Sequence, residues 1–337
     1  MSHELTSEDG LVLTARPAWH GLGTVVEQAP TVQGALQLAG LDWTVRRRRL
    51  LVGSDEGAVA EGTRLNVVPD RVALQRSDTG RILEVVGKGY EVLQNADLAD
   101  LIDGLSREGE VARAESAGSL RQGRRVFFLI RRGGFTLGAS DEVANYLLFS
   151  NTHDGTGALG IIPTTIRVVC ANTLRAAEAG FSIRHSQSMR ERIEGAKLAL
   201  READGGVARM RASIERLASV TVDMDDVRTF FLRVYETAFG IIPAKPANEA
   251  EERARARAVA TVSEWVANLD SARNRGTGTE GTVWHALNAA TEWSDHKRGV
   301  RPGAEDSEHR ARAQSNLFGT SATFKAVALR QALALAQ

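Results

Sequence analysis

The pattern of apolar and polar positions changes character once along the chain, near Ser186. Before that point apolar residues alternate or form short runs, and after it they recur every third or fourth position. In the first part, residues 31–39 predict a short helix between Pro30 and Gly40. Residues 43–52 predict a strand. Residues 72–75 and 82–86 predict a hairpin around Ser77-Asp78-Thr79-Gly80. Residues 95–105 predict an amphipathic helix, capped by Asn95, with Leu98, Leu101, Ile102 and Leu105 apolar. In the strand predicted over 124–132, Val126 to Ile130 are apolar on both faces, which predicts a central position in a sheet. Strands over 146–150 and 159–169 follow, joined through His153-Asp154-Gly155-Thr156-Gly157. A short helix is predicted from Asn172 to near Gly180, then a strand over 181–185.

The second part predicts helices over 188–217, interrupted or kinked at Asp204-Gly205-Gly206, and over 225–238, 246–268, 281–296 and 321–335. The fold class expected is therefore α+β: a mixed, mostly antiparallel sheet domain with short helices over 1–187, followed by an all-helical domain over 188–337. The loops 274–281 and 299–306 are rich in turn residues.

Composition narrows the function. The 337 residues are 43% hydrophobic and 25% charged, as in an ordinary globular protein. No apolar run is long enough to span a bilayer, and the polar, acidic start from Met1 to Asp9 has no signal-peptide pattern. A single cysteine, Cys170, excludes an internal disulfide framework and a multi-cysteine zinc site, and fits a cytoplasmic setting. Basic and acidic residues balance at 42 each, so contact with nucleic acid would need a local basic patch. Lysine occurs at only five positions; the rest of the positive charge is arginine, which suits bidentate phosphate contacts and is also what the codon usage of a GC-rich genome produces.

Two features supply such a patch. Arg46, Arg47, Arg48 and Arg49 follow Trp43 on a predicted strand, where alternate arginines face opposite sides and the indole is near enough for base stacking. Arg124 and Arg125, with Arg131 and Arg132, bracket the central strand. A basic groove forms if those ends open toward Arg46 to Arg49. Earlier in the chain, Trp19-His20-Gly21-Leu22-Gly23 combines an aromatic ring, an imidazole and permissive glycines, which suits contact with a base, a phosphate or a neighbouring subunit, and equally an N-terminal arm whose Trp plugs a core or interface.

Catalytic patterns are weaker. Ser150-Asn151-Thr152-His153-Asp154-Gly155 holds a hydroxyl, an imidazole and a carboxylate, but these residue types also build a plain turn. Cys170 at a strand end reads as a buried thiol, with Asn172 as a helix cap. Asn288, Glu292 and His296 share a face that reads as a polar helix face rather than a metal site. Thr277 and Glu280 fit a capping box.

Several of these segments together resemble the phage- and plasmid-associated family called domain of unknown function 932. They are residues 19–23, Ala39-Gly40-Leu41-Asp42-Trp43, residues 150–155, the stretch from Arg167 through Cys170 and Asn172 to Leu174, and Leu317-Phe318-Gly319. The resemblance implies carriage on mobile elements and a setting in DNA metabolism, and brings no catalytic residues. The expected function is single-stranded DNA binding or annealing by a protein that self-associates into a ring or filament, without cofactor, metal or membrane. The candidate contacts are Trp19, His20, Trp43, Arg46, Arg47, Arg48, Arg49, Arg124, Arg125, Arg131, Arg132 and Arg167. Two alternatives stand beside it: an interaction protein that docks a host factor on the charged helix face from Glu249 to Arg257, and an enzyme acting on nucleic acid or nucleotides.

Overall fold

The computed structural model describes residues 11–14, 24–53, 65–105, 111–167, 172–175, 181–186, 188–189, 196–299, 312 and 315–337. In chain order the elements are β1 (Leu11–Thr14), β2 (Thr24–Val26), α1 (Val32–Leu38), β3 (Val45–Gly53), β4 (Leu65–Arg76), β5 (Ile82–Gly87) and α2 (Asn95–Gly104). Then come β6 (Ala114–Leu120), β7 (Arg125–Leu137), β8 (Asp141–Thr152), β9 (Leu159–Arg167), β10 (Asn172–Arg175) and β11 (Phe181–Ile183). The helical part comprises α3 (Ala196–Ser219), α4 (Met224–Phe239), α5 (Glu249–Leu269), α6 (Val283–Glu292) and α7 (Thr320–Leu335). The class is α+β.

One sheet has the order β10-β9-β8-β7-β6-β1-β2, with β11 also paired to β9; a second has the order β3-β4-β5. Every pairing is antiparallel except β1 with β2. The doubly apolar run of β7 sits between β6 and β8, as its pattern predicts. Val126, Phe128 and Ile130 enter the core shared with α1, α2 and the small sheet, while Phe127 and Leu129 join Leu148 and Phe318 on the opposite face. The helical core centres on Phe231, Trp265, Trp284 and Phe324, and the sheet contributes Phe135, Leu137 and Val143 to it.

Three local expectations fail for physical reasons. Residues 172–175 form β10, not a helix: Asn172 to Arg175 pair with Arg167 to Thr164. The open edge of β9 offers ladder hydrogen bonds that outweigh a local capping signal. The glycines at 205 and 206 do not interrupt α3, which runs through them to Ser219. Burial of Met210, Ile214 and Leu217 offsets the roughly 1 kcal/mol that each helical glycine costs. Asn95 does not cap α2, because its side chain is buried and donates to Leu41 O at 3.0 Å and Trp43 O at 3.3 Å. Gln94 takes the cap position, its N–H donating to Asp97 Oδ2 at 3.2 Å.

Candidate nucleic-acid interface

The long β7–β8 ladder breaks once. Arg131 pairs with Tyr146, and the next paired residue, Gly134, meets Ala144. Arg132 and Gly133 therefore oppose Asn145 alone, which is a β-bulge. Gly133 has φ +103°, a conformation that side chains other than glycine's rarely allow. The bulge interrupts the β7–β8 ladder beside Val207, Ala208 and Arg211 of α3. A cleft of about 760 Å3 lies there; its charged and polar lining is Arg113, Arg131, Arg132 and Arg211, a single glutamate, Glu115, and Asn145, and the rest is apolar or glycine, including Val111, Ile130 and Val207.

The wall is held in place by its own polar contacts. Arg131 lies 3.2 Å from Glu115 and 3.5 Å from Glu142. The Tyr146 hydroxyl donates to Glu115 at 2.6 Å. Burial, and then the Glu115 carboxylate, push the Tyr146 phenol well above its ordinary range, so it remains a donor at neutral pH. Arg113 donates to Ala29 O at 2.8 Å. Arg211 lies over the Phe135 ring, 5.1 Å from its centroid, with its Nε 2.7 Å from Glu215. These anchors fix where the cationic edges stand without covering them, since Arg113, Arg131 and Arg211 are exposed. Asn145 is 5% exposed, and its Oδ1 has no hydrogen-bond partner among the described residues.

Of the arginines picked from the sequence, the cleft brings together Arg131 and Arg132. Arg124 and Arg125, at the other end of the strand, turn elsewhere: Arg124 donates to Leu83 O at 2.6 Å and Arg125 lies 4.4 Å over Phe318. Arg46 to Arg49 are all exposed on β3 and alternate between its faces, but none lines the cleft. Arg47 donates to Lys88 O, and Arg48 donates to Gln75 Oε1 at 2.9 Å. Arg167 closes β9, and its side chain lies outside the described residues, as do Trp19 and His20.

Trp43 is in the core, which corrects the expectation that it offers a stacking surface. It is 4% exposed, with the Arg76 guanidinium 4.3 Å over its ring and His153 at its edge. Sequence reasoning missed Arg113, Arg211, Glu115 and Asn145. The available signal was that Arg211 lies one helical turn beyond Val207, another wall residue.

The remaining candidate motifs resolve into structure. Ser150, Asn151 and Thr152 end β8, and His153 and Asp154 follow, all buried. Asp154 lies 3.1 Å from Arg121 and accepts from Thr156 N at 2.9 Å, which is the turn chemistry its composition suggested. His153 Nε2 is 3.0 Å from Asn95 Oδ1, so this segment ties β8 to α2 and to Trp43. The polar face of α6 is buried, with Asn288 and Glu292 both inside. Glu292 accepts from Ser271 at 2.7 Å and Asn274 at 2.8 Å, and the Asn288 amide donates to Trp284 O at 2.9 Å. Glu280 accepts from the N–H groups of Thr277 at 3.0 Å and Gly278 at 2.9 Å, while the α6 cap is Thr282. Among the described residues no group of three or more His, Cys, Asp or Glu side chains is placed to hold a metal ion. Nor is any described helix long and apolar enough to cross a membrane.

The fold and the cleft together define an α+β protein with an arginine-walled surface groove. A family model described as a domain of unknown function (DUF932) matches residues 82–317, and the chain belongs to that family. No curated protein and no solved structure matches.

Proposed function

We propose that this protein binds single-stranded nucleic acid and that the cleft beside the β7 bulge holds its backbone. The observation that carries the reading is the make-up of the wall, with four arginines and one glutamate in a chain of zero net charge. Guanidinium groups pair with phosphate in a fork geometry, and a local concentration of them attracts a polyanion whatever the total charge. The exposed arginines of β3 offer a second basic strip along which a strand could continue. Annealing and assembly into a ring or filament belong to the same proposal, since a protein that tracks one strand through many copies needs only modest affinity per copy.

Fluorescence anisotropy with a labelled single-stranded oligonucleotide at low salt tests the reading. Binding at micromolar protein is expected, with the logarithm of affinity falling by about 0.7 per phosphate contact for each decade of salt. Replacing Arg132 and Arg211 together with alanine should weaken binding and flatten that slope. No binding at micromolar protein in low salt would overturn the proposal.

A further inference from the structure

We propose that the cleft receives an unpaired base as well as a phosphate, and that Asn145 is the residue that contacts the base. The inference rests on the nucleic-acid reading above and deepens it to single strands with accessible bases. Asn145 lines the cleft, is 5% exposed, and has a side-chain carbonyl oxygen with no hydrogen-bond partner among the described residues. A buried acceptor without a donor is costly, and a ligand that supplies the donor recovers that cost on binding. Phosphate oxygens are acceptors only, so a bare polyanion satisfies the arginines and leaves Asn145 as it was. A base carries N–H donors on its edge, and in a duplex the pairing edge is already occupied. The group that completes this wall therefore combines an anion with an N–H donor within one nucleotide, and a single strand presents that combination.

The bulge explains why Asn145 is available for the role. Its neighbours Ala144 and Tyr146 have paired partners across the ladder, in Gly134 and Arg131, whereas Asn145 faces the two looped residues Arg132 and Gly133. An arginine for the phosphate and a carboxamide for the base are thus set opposite each other by one irregularity in one ladder.

The test compares a short DNA oligonucleotide with one of equal length made wholly of abasic sites, using anisotropy competition at fixed low salt. The intact oligonucleotide is expected to bind about tenfold more tightly than the abasic one. In Asn145→Leu that gap should close, with abasic binding unchanged. Asn145→Asp, which keeps an acceptor at the same place, should retain a preference for bases while weakening both ligands. Equal affinity of the natural protein for the two ligands overturns the inference and leaves phosphate binding intact. Binding of neither ligand overturns the nucleic-acid reading itself. A base preference that persists undiminished in Asn145→Leu also overturns the assignment to Asn145.

Discussion

Acid should destabilise this fold through His153. The ring is fully buried, and its tautomer follows from its neighbours. The Asn95 amide nitrogen donates to two backbone carbonyls, so Asn95 Oδ1 faces the ring and accepts from Nε2–H. That leaves Nδ1 as the basic site, and Nδ1 has no partner among the described residues. Burial, reinforced by His185 and Arg76 and only partly opposed by Asp154, lowers the pKa from 6.5 to about 3. Between those values the unfolded chain holds a proton that the folded chain does not, so stability is present in full above the unfolded pKa and falls as pH drops. At about pH 5 the folded ring is still neutral, and the loss is ~2 kcal/mol whatever the folded value, provided it lies well below 5. His185 is also shifted down, mainly by burial, and adds to the loss in the same direction. Urea unfolding at about pH 7.5 and pH 5 measures the difference. His153→Gln removes the titration while keeping an amide donor for Asn95, and should show a pH dependence smaller by about that ~2 kcal/mol. Equal pH dependence in both proteins, or a His153 ring signal that titrates near pH 6.5 by NMR, would refute the reasoning.

Three further outcomes are expected. Asp295→Asn should cost ~3–5 kcal/mol by chemical denaturation, because Lys325, 2.7 Å away and equally buried, loses its counter-charge. A cost below about 1 kcal/mol would mean that the pair is solvated. Gly138→Ala should lower the thermal midpoint: φ is +53° there, and a Cβ would stand 2.6 Å from the Gly278 carbonyl oxygen, so the β7–β8 turn would separate from the loop before α6. An unchanged midpoint would show that the two backbones part freely. Trp43→Ala should cost ~3–5 kcal/mol and leave the affinity of the folded fraction for oligonucleotide unchanged, since the indole is packed in the core.

How far the fold could be read in advance depended on whether local and long-range forces agreed. β7 was legible because five consecutive apolar side chains need cover on both faces, and only a central strand provides it. The amphipathic helices α2 and α4 were legible for the same kind of reason. β6 was not, because Ala114 to Leu120 lack β-branched residues. Their small side chains are instead what α1 can pack against, with Ala114, Ala117 and Ser119 fully buried. The first half of β4 was hidden by Pro69 and by Asp70, whose φ of +57° bends the strand. In the cleft, Arg131 and Arg132 stood out as charge beside an apolar strand. Arg113, Arg211 and Asn145 did not, because what unites them is a one-residue slip in a ladder, and a slip leaves no composition signal.

Zero net charge does not exclude a local basic field, and the distribution of the acids shows why. Glu249, Glu251 and Glu252 occupy the first turn of α5, and Asp223, Asp225 and Asp226 the start of α4, where carboxylates are favoured by unsatisfied N–H groups. Those acids balance the total while serving helix ends. A carboxylate offsets a guanidinium effectively only within about a Debye length, ~10 Å at 0.1 M salt. In the cleft wall that role falls to Glu115, with Glu142 and Glu215 bonded to its arginines from outside. The field at the cleft is set by those few carboxylates against its arginines, and it becomes more positive if one of the carboxylates is removed. Glu115→Gln should therefore tighten oligonucleotide binding at low salt and do so less at high salt. Weaker binding in Glu115→Gln would show that Glu115 matters chiefly for holding Arg131 in place rather than for the sign of the field.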